Sequence, residues 1–174
     1  MYLMKKIFLI LTIFMKMNLS FAQSGIETFA ELGNNMAIGL SVNSENRLFL
    51  AFPNFDGNGK WALTELEDGK LTPYPNSQWN TKGDYENTFL RVQDLFVDQQ
   101  DNLWILDSKP ASANNIFGGA QQQQNGQFKL VKINTKTNEV TRIYFFDDLD
   151  KSKSALNDVR IDLKHNLAYF SDPG

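Results

Sequence analysis

The sequence predicts an all-β fold of the β-propeller type, built from repeated four-stranded antiparallel sheets. Three observations carry that prediction. An apolar strand, a polar turn and a second apolar strand recur at Val42–Phe52, Val97–Asp107 and Ile161–Asp172. These copies begin 55 and then 64 residues apart, near or somewhat above the roughly 50-residue period of kelch-type repeats. Beyond residue 22, apolar runs of strand length recur while helical periodicity is scarce. A unit of this kind cannot bury its own faces, so successive units are expected to pack one on the next.

Taken in order, residues 1–22 read as a signal peptide. Lys5 and Lys6 supply a basic start, Ile7–Phe14 is apolar except for Thr12, and Ser20–Ala22 has the small-x-small form of a cleavage site. Lys16 interrupts the apolar stretch before it reaches the roughly 20 residues of a membrane span. An uncleaved anchor or a buried helix is the competing reading. No Cys follows the cleavage site, which excludes a bacterial lipoprotein anchor. The expected location is therefore extracellular or periplasmic, with no membrane span after cleavage.

Residues 23–174 form the expected partial propeller. Blade one covers about residues 36–75. Its first hairpin is followed by Trp61–Leu66, a turn at Glu67–Lys70 and Leu71–Tyr74. Blade two covers about 92–146, with a second hairpin of Lys129–Ile133, a turn at Asn134–Asn138 and Val140–Phe146. The polar–apolar alternation of those outer strands suits one wetter face. An incomplete blade three covers 156–174. Leu48–Phe52, Leu103–Leu106 and Ala168–Phe170 are unbroken apolar runs, as expected of strands buried on both faces. Polar loops connect the blades: Asn76–Asn87 holds Trp79 and Tyr85, and Ser108–Gln127 holds Gly118–Gly119 and the run Gln121–Gln124.

Composition narrows the function. The chain has 17 basic and 20 acidic residues, and removing the leader takes three lysines and no acid. The net charge then falls from −3 to about −6, which argues against a nucleic-acid partner. With no Cys there is no disulfide framework, thiol nucleophile or Cys-based zinc site. The single His165 excludes a His-rich metal cluster, and its place in the turn Asp162–Asn166 reads as an exposed turn residue.

Candidate site residues lie where the chain approaches each innermost strand. Asn157 and Asp158 lead into blade three, Gln93 and Asp94 into blade two, and blade one offers only Ile38 and Gly39. Amide and carboxylate oxygens could hold a divalent cation such as calcium, with Asn157 and Asp158 as the candidate metal ligands. The carboxylates could equally pair with a ligand amine, or serve as a base on water. In the competing reading Asp94 and Asp158 accept backbone N–H groups and staple blade to blade. Asp107 and Asp172 end the second strands, as turn formers or as ligand contacts. Their alignment requires a one-residue insertion in blade three, which also brings Trp104 opposite Tyr169. Asp98 and Asp162 start hairpin turns and read as structural. Arg160 reaches either the channel or a neighbouring acid. Trp104, Phe49 and Tyr169 read as inter-blade core.

The chain resembles the major royal jelly protein and Yellow family, as a bacterial member's N-terminal part. The resemblance rests on Arg47–Pro53 followed by Phe55, Leu71–Asn76 with Trp79, Val92–Asp98, Asn102–Asp107, Leu156–Asp162 and Ala168–Asp172, in that order. It departs at Ser108–Pro110, where the family usually has a small residue and Gly. The resemblance implies a secreted six-bladed propeller that binds a small polar ligand in its central channel. More distantly the chain is similar to gluconolactonase and regucalcin-like propellers of the SMP-30 type. That likeness implies, as an alternative, metal-assisted lactone hydrolysis, and a role for Asn157 in contacting substrate or metal. Yellow proteins, associated with dopachrome chemistry and the binding of small amines, suggest a dopachrome-converting enzyme. Catalytic residues are not assigned. About two and a half blades cannot close a ring. The expectation is a truncated or incompletely delimited gene product, or half of a self-assembling ring, so that missing blades or self-association complete it. An inert truncated remnant is the remaining alternative.

Overall fold

A computed structural model describes residues 25–53, 60–111 and 125–174. The signal-peptide assignment and the Gly118–Gly119 and Gln121–Gln124 segments lie outside the described residues. The chain divides into two units, Met1–Glu31 and Leu32–Gly174, and every strand named below belongs to the second. Among the described residues no helix is long and apolar enough to cross a membrane.

The protein is an all-β partial propeller. Strands β1 (Gly39–Val42), β2 (Leu48–Ala51), β3 (Leu63–Glu67) and β4 (Lys70–Pro73) form one antiparallel sheet in sequence order. Strands β5 (Val92–Val97), β6 (Asn102–Lys109), β7 (Gln127–Asn134) and β8 (Glu139–Phe145) form a second with the same order. Strands β9 (Val159–Asp162) and β10 (Leu167–Phe170) pair as a hairpin. The innermost strand β5 packs against β1 on one side and β9 on the other.

Turn chemistry explains why each repeat folds back on itself. In the β1–β2 turn the Asn43 side chain accepts the N–H groups of Glu45 and Arg47 at 3.1 and 2.9 Å. In the β5–β6 turn Asp98 accepts those of Gln100 and Asn102 at 2.8 and 3.0 Å, and the Trp104 indole N–H at 2.8 Å. Asp162 takes the N–H of His165 at 3.1 Å. Each turn then needs a residue at positive φ, supplied by Asn46, Asp101 and Asn166, the residue types that tolerate the left-handed region best after Gly. The β3–β4 turn needs two such residues, Asp68 and Gly69, as a tight primed hairpin turn does.

Alternation along the strands separates two apolar faces of blade two. Leu103, Ile105, Val131 and Ile133 pack with Phe49, Ala51, Leu63 and Tyr74 of blade one. On the opposite face Trp104, Leu106, Phe128 and Leu130 pack with Val159, and with partly buried Ile161 and Phe170 of blade three. A polar clasp reinforces the first interface at the turn end. Ser44 donates its amide to Asp101 at 2.9 Å, Asn43 donates to the Thr135 hydroxyl at 3.0 Å, and Arg47 reaches the Thr135 carbonyl. Arg47 also pairs with Glu65 at 2.6 Å.

Two expectations require correction. Lys129, expected on a wetter face of β7, is fully buried, because the 76–91 connection folds over it. Ala168 and Tyr169 are exposed, so the last apolar run is not buried on both faces. Among the described residues β10 has a pairing strand on one edge only.

Leu103→Ala should lower the unfolding free energy by about 2–5 kcal/mol, as deletion of a wholly buried side chain does. Leu40→Ala on the exposed face of β1 should stay within about 0.5 kcal/mol of the parent. Urea unfolding followed by tryptophan fluorescence would distinguish the two sites.

Candidate functional site

A β-bulge recurs at the approach to each innermost strand. Val92 pairs with Asp107 and Asp94 with Leu106, which leaves Gln93 as an extra residue. In blade three Asn157 N–H donates to the Ser171 carbonyl at 3.0 Å, and Ser171 N–H returns to the Asp158 carbonyl at 3.3 Å. Two residues therefore face one, as in blade two. In blade one Gly39 pairs with Ala51, and Ile38 N–H also donates to the Ala51 carbonyl. Bulges re-aim side chains and gather beside functional sites. Here they turn Gln93 and Asn157 toward each other. The Gln93 amide donates to Asn157 Oδ1 at 3.0 Å; Asn157 is exposed and Gln93 half-buried.

The neighbouring acids have different occupations. Asp94 Oδ2 accepts the Val159 N–H at 2.9 Å and the Arg160 guanidinium at 2.8 Å. It joins blade two to blade three, and it answers where Arg160 goes. Asp158 accepts the Ser171 hydroxyl at 2.9 Å within its own blade.

Asp107 and Asp172 perform one task in two blades. Asp107 accepts the N–H groups of Leu90 and Arg91, at 2.9 and 2.6 Å for the nearer oxygens. Asp172 accepts the Ala155 N–H at 2.8 Å. Each carboxylate thus caps the chain as it enters the innermost strand. At Asp172 the Ala155 amide holds the carboxyl below its ordinary range. Asp107 is wholly buried, and burial pushes its pKa up against the opposing pull of Lys129 and the two backbone amides. Lys129 Nζ lies 3.5 Å from Asp107 and donates to the Tyr85 and Thr88 carbonyls. Its ammonium also sits 4.8 Å from the Tyr85 ring centroid and 5.5 Å from that of Trp79. Burial pulls the Lys129 pKa down while Asp107 raises it.

Of the six sequence-predicted residues, Gln93, Asn157, Asp94 and Asp158 gather around the two bulges. Asp107 and Asp172 are engaged with the backbone of the strand approaches. Asp94 staples blade two to blade three through the Val159 N–H, while Asp107 forms no turn and instead holds the distant amides of Leu90 and Arg91. The pair Lys129–Asp107 is not among the sequence-predicted residues, and its one signal in the sequence is a lysine between Phe128 and Leu130 in β7.

Calcium-type coordination takes six to eight oxygens. Among the described residues no three His, Asp or Glu side chains converge on one point. Asp94 is occupied by a guanidinium, and Asn157 and Asp158 are too few to hold a hard cation. The donor set therefore does not fit a divalent metal. An apolar groove of about 260 Å³, bounded by Trp104, Tyr144, Phe146 and the β9–β10 hairpin, includes none of the six residues.

Residues 90–174 match the family model described as major royal jelly protein. Over those residues the chain is similar to the major royal jelly protein family. No curated protein matches the chain. The family segment starts two residues before β5 and contains both amide–carboxylate pairs. The blade-one motifs Arg47–Pro53 and Leu71–Asn76 precede it.

Lys129→Met should cost about 3–5 kcal/mol, because it leaves a buried carboxylate without its cation. Adding Asp107→Asn to that variant should recover part of the loss. A double-mutant cycle by urea unfolding checks the coupling.

Proposed function

We propose that the chain binds a small polar ligand through the bulged amides of Gln93 and Asn157, with the Arg160 guanidinium alongside, outside the cytoplasm after export by residues 1–22. The recurring bulge that sets these two amides together carries the reading. Their mutual bond uses one Gln93 donor and one Asn157 acceptor. Gln93 Oε1 and Asn157 Nδ2 remain to meet solvent or ligand. One acceptor beside one donor suits a molecule rich in hydroxyl or carbonyl groups. Arg160 is anchored on Asp94 with most of its side chain exposed, so its remaining N–H groups add donors at little ordering cost. The match of residues 90–174 to the major royal jelly protein family supports the general class, and the amide pair supplies the chemistry.

Titration calorimetry with two probes, glucono-δ-lactone and dopamine, tests the proposal. Saturable binding of at least one probe is expected, and Asn157→Ala should weaken it about tenfold, equivalent to ~1.4 kcal/mol. Binding of neither probe, or equal binding by the Asn157→Ala chain, would count against the site.

A further inference from the structure

Asp107 of β6 and Lys129 of β7 are direct register partners, so their side chains leave the sheet together. Both side chains are 0% exposed, whereas Arg47–Glu65 and Arg160–Asp94 keep both partners partly in water. Separate charges are costly where water is excluded, and buried groups tend to neutralise. Moving one proton from Nζ to the carboxylate leaves a neutral amine beside a neutral acid. Burial drives both groups that way, raising the Asp107 pKa and lowering that of Lys129.

The surroundings suit attack of that amine on that acid. Nζ lies 3.5 Å from Asp107 Oδ2 and donates to the Tyr85 and Thr88 carbonyls. A neutral amine has two N–H groups. Those two carbonyls take both, which leaves the nitrogen lone pair for Asp107. On the acid, Oδ1 accepts the Arg91 N–H at 2.6 Å, and the Leu90 N–H bridges Oδ1 and Oδ2 at 3.1 and 2.9 Å. Backbone donors so placed stabilise the negative charge that develops on a carbonyl oxygen under attack. The Tyr85 and Trp79 ring centroids lie 4.8 and 5.5 Å from Nζ and close the site over. Strand pairing holds the two groups side by side, which removes the entropy cost of bringing them together.

We propose that Lys129 and Asp107 condense to an isopeptide bond that ties β6 to β7. Nζ attacks Cγ, the Nζ–Cγ bond forms and the Cγ–Oδ2 bond breaks. Oδ2 leaves as water with the acid's proton and one proton from Nζ, so the step needs no oxidant or further reactant. The amide oxygen keeps the Leu90 and Arg91 N–H groups, and its N–H serves the Tyr85 or Thr88 carbonyl. The bond gives a covalent cross-link to a chain that has no Cys for a disulfide.

Mass spectrometry of the purified, denatured full chain tests the bond. The parent should be one water lighter than its residues sum to from the observed N-terminus, and Lys129→Arg should have its full mass. Chymotrypsin cuts at Phe117, between the two residues, and should yield a peptide holding Asp107 joined to one holding Lys129. A parent of full mass would overturn the proposal, as would a Lys129→Arg chain that is also one water lighter. Loss of water without joined peptides would overturn it too, since a cyclic imide at Asp107–Ser108 has that signature. If Lys129→Arg does not fold, the parent's joined peptides decide alone.

Discussion

Sheets that are apolar on both faces must have a neighbour on each side, and the other features of this protein follow from that constraint. Blade two satisfies it. Leu103, Ile105, Val131 and Ile133 face blade one, while Trp104, Leu106, Phe128 and Leu130 face blade three. Both clusters are wholly or nearly wholly withdrawn from water, and at about 25 cal/mol per Å² this burial is the main favourable contribution to folding. Strand alternation delivers it without long-range design in the sequence, since odd and even residues of one strand serve different neighbours.

Polar groups then set the angle and register of the stack. At the turn end, Asn43, Ser44 and Arg47 engage Asp101 and Thr135 of the next blade. Near the axis, Ser41 accepts the Val97 N–H at 2.9 Å, and Asp94 accepts the Val159 N–H. These bonds satisfy backbone groups that have no strand partner, which buried N–H groups require. The acids at the axis are therefore framework first. The pair of amides at the bulges is where we propose that a ligand binds.

Much of this was legible from residue order. Asn43, Asp98 and Asp162 announce their turns because a short acceptor side chain can bond the backbone two to four residues on. Strand pairs fell where the apolar runs lie, and the candidate residues Gln93, Asp94, Asn157 and Asp158 do come together. The bulges were not legible, since they arise from a mismatch in pairing between two strands rather than from either strand alone. The role of Lys129 was also hidden. A lysine amid apolar residues reads as a solvent-facing alternation until the 76–91 connection places Tyr85, Trp79 and two carbonyls over it.

The sequence by itself determined the repeating unit, the all-β class, the turns and the resemblance to the royal jelly family, because each depends on local patterns or on motifs in order. Tertiary structure decided which donors each carboxylate receives and which two amides meet. It did so because a carboxylate's role depends on the donors that reach it, and those donors come from 16 to 66 residues away at Asp107 and Asp94.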